Sequence, residues 1–240
     1  MFQTVLNIIY PRRCPICSEI VVPKGEKACP MCKDRLNKVK EPRCKKCSKP
    51  IETVEAEYCY DCTVKDHHYK KGFALWVYDK TMKKSISNYK YNGKKEYADF
   101  YIEEMLNHYT DEIYRIKPDA IIPIPIHKSK RKIRGFNQTE IIAKGIAKHL
   151  DIPVLTKTLI RVKKTLPQKE LNDKERLKNL KEAFSYLNEE IVMLDKNVKK
   201  IFLIDDIYTT GSTIEACTSI LQQNGIEEVY FLCVCIGKGF

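Results

Sequence analysis

An α/β fold, a parallel sheet flanked by helices with a small cysteine-rich module ahead of it, is what this sequence of 240 residues predicts. Three observations carry the prediction. Eight of the eleven cysteines fall in CxxC pairs within the first 62 residues. Strand-like and helix-like stretches alternate after residue 70, the pattern of helices packed on a parallel sheet. The run IFLIDD (201–206) carries four apolar residues onto two consecutive acids, just before TTGST.

The cysteine pairs are Cys14/Cys17, Cys29/Cys32, Cys44/Cys47 and Cys59/Cys62, a repeat of period 15. Two thiolates on one tight turn occupy two corners of a tetrahedron, so four such pairs predict two structural zinc ions. The surrounding segment is polar and lysine-rich and offers no strand and helix frame for redox CxxC chemistry. Pairing of neighbours gives a zinc ribbon twice over, with Cys14, Cys17, Cys29 and Cys32 on one ion and Cys44, Cys47, Cys59 and Cys62 on the other. A cross-braced arrangement, first pair with third and second with fourth, is the alternative. Eight sulfurs complete two tetrahedra, which makes His67 and His68 solvated linker residues. The module spans 1–70, and a second domain spans 71–240. Residues 1–70 hold 14 Lys/Arg against 9 Asp/Glu, and two loaded four-thiolate sites bring about −2 each, leaving the module close to neutral.

In the second domain FALWVYD (73–79) reads as a strand and KTMKKSISNYKYNG as a short basic helix ending at Gly93. Ala98, Ile102, Met105, Tyr109 and Ile113 recur at three- and four-residue spacing, an amphipathic helix over 95–116. AIIPI is a short buried strand. NQTEIIAKGIAKHL is a helix with Asn137 as N-cap and Glu140 in the capping-box position. PVLTKTLIRV is strand-like, and 172–182 is charged and weakly helical. KKIFLIDD is the clearest strand, TIEACTSILQQ a helix closed by Asn224-Gly225, and EVYFLCVCI the last strand. Cys217, Cys233 and Cys235 fall in these buried elements as small core residues.

A formal net charge of +12 favours acidic partners such as nucleic acid, phosphorylated metabolites or an anionic surface, with a merely solvated basic face as the alternative. The apolar content is ample for a core and excludes a disordered chain. No stretch reaches the length of a membrane span, and MFQTVLNIIYPRR lacks the basic leader and long apolar core of a signal peptide. Cysteines patterned as metal ligands fit a reducing compartment, so the expected location is cytoplasmic.

Asp205 and Asp206 end a strand where α/β sheets bind ligands, with a helix starting just beyond Gly211. TTGST offers unpaired backbone N–H groups, hydroxyls and the positive end of a helix dipole, which suit a phosphate. The acids suit sugar hydroxyls, and a ribose 5-phosphate fits both halves. This stretch resembles the phosphoribosyl-pyrophosphate motif of type I phosphoribosyltransferases. The resemblance implies that Asp205 and Asp206 hold the ribose hydroxyls and that Thr209, Thr210, Gly211, Ser212 and Thr213 hold the 5-phosphate. It also implies magnesium, arriving with the diphosphate.

RGFNQ (134–138) after IPIPIHKSKRK, TLPQKELNDKERLKNLKEAF (165–184), YDKTMKKSISNYKYNG and the multi-CxxC head together resemble the ComF family of bacterial competence proteins, over essentially the whole chain. Membership implies a role in natural transformation, in handling incoming single-stranded DNA behind the uptake channel and beside a helicase-like partner. Lys128, Lys130, Arg131, Lys132 and Arg134 follow the AIIPI strand where the transferase family keeps its pyrophosphate loop; they suit a leaving pyrophosphate or a DNA backbone alike. Residues 157–181, with nine Lys/Arg against three acids, resemble by position the family's closing loop, with Lys163, Lys164, Thr165 and Gln168 as working members. Tyr89 and Tyr91 alternate with Lys90, either as core aromatics or as bases' stacking partners. Two functions stay open: a competence-associated DNA-handling protein whose transferase-like domain binds phosphoribosyl pyrophosphate or a nucleotide, and an active phosphoribosyltransferase for an unidentified base or nucleotide acceptor.

Overall fold

The computed structural model describes residues 11–163, 179–194 and 197–238. The elements run α1 (Pro30–Asp34), α2 (Tyr60–Val64), β1 (Lys71–Val77), α3 (Lys80–Tyr91), α4 (Tyr97–Ile116), β2 (Ala120–Pro123), α5 (Lys128–Arg134) and α6 (Gln138–Leu150). They continue with β3 (Leu159–Arg161), β4 (Phe184–Tyr186), α7 (Glu189–Met193), β5 (Lys200–Tyr208), α8 (Ser212–Gln223) and β6 (Glu228–Ile236).

The cysteine-rich head is one unit built twice. The N–H of Cys14 donates to the Glu19 carbonyl at 2.7 Å, and that of Cys44 to the Lys49 carbonyl at 2.8 Å. Ser18 and Ser48 donate back to the carbonyls of Cys14 and Cys44, each from a left-handed backbone with φ 72° and 69°. Cys29 and Cys59 each open a five-residue helical turn, α1 and α2. Alternate CxxC pairs thus have alternate backbones, one on a tight turn and one on a helix start.

The main sheet has the order β1-β6-β5-β2, parallel throughout. Side chains alternate between its faces, as strand geometry requires. Phe73, Phe202, Ile204, Leu232 and Val234 join the core with Met82 and Ile86 of α3, Phe100 and Met105 of α4, and Ile142 and Ile146 of α6. Ala74, Ile201, Leu203, Phe231 and Cys233 join the opposite core with Ile214, Cys217 and Leu221 of α8 and with Leu159 and Phe184. Covering on both faces explains why the parallel strands read as continuous apolar runs.

The first ribbon lies on one of these faces and the second on the other. Cys14, Ile16, Val21, Cys32 and Leu36 pack into the α3/α4/α6 core, whereas Cys44, Cys47 and Cys59 pack into the α8 core. The link between them runs along the outer edge of the sheet. The Val39 N–H donates to the Leu75 carbonyl at 3.0 Å and the Val77 N–H to the Asn37 carbonyl at 2.8 Å, which satisfies part of an edge that would otherwise be open.

Four local readings need correction. PVLTKTLIRV is two pieces: Pro153–Leu155 extends the sheet beside Ile121, while β3 pairs antiparallel with β4. The break has a cause, since Glu190 accepts the N–H groups of Lys157 (2.6 Å) and Thr158 (2.9 Å) that a continuous strand would give to a neighbour. The basic segment 128–134 is a helix, not a loop, stopped by Gly135 at φ 76°. Asn137 stands at the N-cap of α6, but its side chain donates to the Ile124 carbonyl and accepts from Thr139, and Glu140 pairs with Lys144 and Arg131 instead of closing a capping box. His67 is 8% exposed, not a solvated linker residue; burial against Tyr69 and α8 takes it out of solvent, and His68 alone fits the expectation. The expected weak helix over 172–182 lies largely outside the described residues, as do Lys164, Thr165 and Gln168.

Candidate functional site

The chain leaves β5 through α8 toward β6, and it leaves β2 through α5 and α6 toward 153–155 on the other side. Connections that depart in opposite directions open a crevice at the carboxyl ends of the two strands. Asp205 and Asp206 lie at that end of β5, although the strand itself continues to Tyr208.

Successive residues of a strand face opposite ways, and the two acids have different surroundings. Asp206, 5% exposed, accepts from Lys90 Nζ at 2.7 Å and from Gln138 Nε2 at 2.9 Å. Burial works against the charge on Lys90, but Asp206 outweighs it and the ammonium is held more firmly than usual. Asp205 is half-buried and accepts the backbone N–H of Asp206 at 2.8 Å. Burial, and then the negative charge of Asp206, push its carboxyl up to about 7, against the weaker pull of Lys90 and Arg161. One acid is therefore held by two partners, and the other titrates near neutrality.

A cationic rim surrounds the pair. Arg134 donates to Gln138 Oε1 at 2.9 Å and to the Tyr91 hydroxyl at 2.8 Å, and its guanidinium lies 4.7 Å from the centre of the Tyr91 ring. Burial and the neighbouring charges of Arg161, Arg134 and Lys90 lower the Lys130 ammonium below its ordinary value. Burial likewise lowers Arg161, which faces Asp205 and Cys217. Crowded cations of this kind favour an anion between them.

Beyond the acids, Gly211 adopts φ 80° and caps α8, and the Thr210 and Ser212 hydroxyls stand 3.0 Å apart. The first N–H groups of α8 have no partner within the helix, which is the arrangement that accepts a phosphate. Thr209, Thr210, Gly211, Ser212 and Thr213 thus form one turn directly past the acid pair. Of the cations named from sequence, Arg134 reaches the acids through Gln138. Arg131 is turned to Glu140 and Lys163 to Glu182, and Lys128 is exposed. Tyr89 is buried and donates to the Gln138 carbonyl, while Tyr91 is 62% exposed. Lys90 and Gln138, which touch Asp206, carry no signal of that contact in the sequence, because each meets it across the fold.

The thiol sulfurs of Cys14, Cys17, Cys29 and Cys32 lie within 4.8 Å of one another, as do those of Cys44, Cys47, Cys59 and Cys62. Four thiolates so gathered fit tetrahedral zinc, and neighbouring pairs come together in the ribbon order and not the cross-braced one. Among the described residues no helix is long and apolar enough to cross a membrane.

The head matches the family model "Double zinc ribbon domain" over residues 5–63. The chain is similar to "Competence protein F" of Haemophilus influenzae, 37% identical over 115 residues, covering 47% of this chain and 48% of that protein. It is 29% identical over 162 residues to "Competence protein ComFC" of Streptococcus pneumoniae, covering 65% and 64%. It is 29% identical over 118 residues to "DNA utilization protein YhgH" of Escherichia coli K12, covering 49% of each. The matches span about half the length of most of these relatives. With paired zinc ribbons ahead of a parallel α/β sheet, the chain is similar to competence and DNA utilization proteins.

Proposed function

We propose that this protein serves DNA uptake, handling incoming single-stranded DNA, and that its α/β domain binds phosphoribosyl pyrophosphate or a related ribose phosphate. The observation that carries the ligand reading is the acid pair at the carboxyl end of β5, followed at once by a glycine-capped helix N-terminus. Ribose hydroxyls would donate to Asp205 and Asp206, and the phosphate would accept from the 209–213 turn. Magnesium accompanies the diphosphate and offsets its charge near the acids. The names of the relatives support the DNA role, and the exposed Tyr91 beside Arg134 offers a base a stacking surface next to a cation. A helicase-like competence protein and the uptake channel are partners consistent with that role, at the cytoplasmic side.

The cationic rim favours a second reading, an active phosphoribosyltransferase. Lys90, Lys130, Arg134 and Arg161 gather around the acids. Such charge would stabilise pyrophosphate as its bond to the ribose anomeric carbon breaks and a bond to an acceptor nitrogen forms, with the acceptor's proton passing to solvent.

The deciding experiment is calorimetric titration of phosphoribosyl pyrophosphate and magnesium into the zinc-loaded protein, beside an Asp205→Asn/Asp206→Asn variant. Saturable binding that the variant loses is expected. Affinity rises with pH through about 7, because Asp205 accepts a ribose hydroxyl best once ionised. Absence of binding in the intact protein overturns the ribose-phosphate reading.

A further inference from the structure

The second zinc ribbon and the candidate phosphate turn are joined through residues 67–69. Tyr69 is fully buried, with its hydroxyl 4.0 Å from Cys62 Sγ on one side and hydrogen-bonded to the Tyr208 hydroxyl at 2.7 Å on the other. Tyr208 is the last residue of β5 and leads straight into the turn. Its ring stacks on Phe231 at 4.8 Å, and Tyr69 meets the same Phe231 edge-on at 4.9 Å.

The contact continues onto Gly211. A side-chain carbon there would collide with the Tyr208 hydroxyl and stand 3.0 Å from His67 Cε1. The left-handed turn is thus closed from above by Tyr208 and His67, and His67 is itself stacked on Tyr69 at 5.0 Å. His67 makes no hydrogen bond through either ring nitrogen, and packing together with a 3.7 Å contact between its Nδ1 and Glu215 Oε2 keeps it there. The far end of the turn is tied as well. Glu215, in the first turn of α8 and 3% exposed, accepts from the backbone N–H of His68 at 2.9 Å and pairs with His68 Nδ1 at 2.5 Å. Entry, apex and exit of the 209–213 turn therefore all rest on three consecutive residues that begin five positions after a zinc ligand.

We propose that Tyr69 and His67 are positioning residues for the 209–213 turn, and that metal at the second zinc site holds this turn in its anion-binding shape. The inference rests on the ribose-phosphate reading for the identity of the ligand, but not for the joint itself. In a turn whose backbone N–H groups are the ligand's donors, small rotations redirect the donors, so fixing the turn beforehand lowers the ordering cost of binding. Without the Tyr69 hydroxyl, Tyr208 loses its buried partner and the roof over Gly211 loosens. Among the described residues the first ribbon makes no such connection to the turn, and its side chains bond instead to Asn88 of α3 and to Asp99 and Glu103 of α4.

The test compares the full zinc-loaded chain with Tyr69→Phe, which keeps the ring and every zinc ligand, and with Cys29→Ser in the first ribbon. Zinc content is measured by elemental analysis, amide hydrogen exchange by mass spectrometry, and ribose 5-phosphate binding by calorimetry. In Tyr69→Phe, two zinc ions are retained and β6 stays protected, yet amides of 209–213 exchange at least about tenfold faster and ribose 5-phosphate binds about tenfold more weakly. Cys29→Ser retains wild-type exchange in the turn. Turn exchange indifferent to Tyr69→Phe overturns the proposal, whatever the ligand does. Wild-type protein that binds no ribose 5-phosphate, while turn exchange still depends on Tyr69, overturns the ribose-phosphate reading and leaves the positioning role standing.

Discussion

The two zinc ribbons share one backbone and differ in what they lean on. The first lies over α4 with a rim of ion pairs, Arg12–Asp99 at 2.5 Å, Lys27–Glu103 at 2.7 Å and Lys33–Glu103 at 3.9 Å. The second is set into the other face by buried groups. Ser48 Oγ donates to the Gly72 carbonyl at 2.7 Å, the Gly72 N–H donates to the Lys46 carbonyl at 2.8 Å, and Lys49 is buried against Asp61 and the Tyr208 ring. Gly72 is required here, because a side chain would run into the Phe231 ring. The head repeats one metal fold twice, and the surfaces around the two copies make one a cover and the other part of the domain's interior.

The largest effect expected from this difference is that of losing one metal ligand on each side. Cys47 is fully buried and Cys17 half-buried. Cys47→Ser is expected to cost on the order of 5 kcal/mol, since metal binding is folding energy for so small a unit. Its unfolding should include the sheet, because Cys44, Cys47 and Cys59 share a core with Leu203 and Phe231. Cys17→Ser should lose one zinc with a smaller drop in Tm. Equal drops would erase the distinction between cover and interior.

Next comes a pair of equivalent positions. Lys49 in the second ribbon corresponds to the exposed Glu19 in the first, each supplying the carbonyl bonded by the leading cysteine. Lys49→Ala leaves Asp61 with Lys65 as its remaining partner and should cost about 2 kcal/mol. Glu19→Ala should stay within about 0.5 kcal/mol. Burial disfavours the Asp61 charge, but Lys49 and Lys65 outweigh it and hold its carboxyl below the usual range. A depressed folded value makes this contribution present above about pH 4 and lost as acid protonates Asp61. Urea unfolding at pH 7, where Asp61 is ionised and the zinc thiolates are intact, should show the full cost of Lys49→Ala.

What the sequence discloses of all this is its local part. Paired cysteines, the IFLIDD strand and the TTGST turn are legible because a few adjacent residue types determine each of them. Gly135 after a run of cations was a legible helix stop as well, outweighed by the expectation of a loop. The joints are not legible. Lys90 lies far from Asp206 in sequence, and nothing in YKY says that its middle residue turns inward while Tyr91 turns out. Counting sulfurs removes His67 from the metal sites but cannot show that Tyr69 and Gly211 enclose it. Asn137 has the right residue and place for a cap, and the fold assigns its side chain to Ile124 and Thr139 instead.

The smallest effect separates the ribbons most cleanly by its cause. Arg12 joins Asp99 and the Glu96 carbonyl with both charged side chains at least one-third exposed. Arg12→Ala should cost about 0.5 kcal/mol at low salt. Near 1 M salt, where screening falls to about 3 Å, most of that difference should vanish. Exchange of the 209–213 amides should not change, because the ion pair lies on the opposite face of the sheet from the Tyr69–Tyr208 joint. Salt should likewise leave the Tyr69–Tyr208 part of the joint intact, since two buried hydroxyls and packed rings carry no net charge to screen. A turn whose exchange responds to Arg12→Ala would mean that the two faces communicate, and the ribbons would then have to be treated as one support.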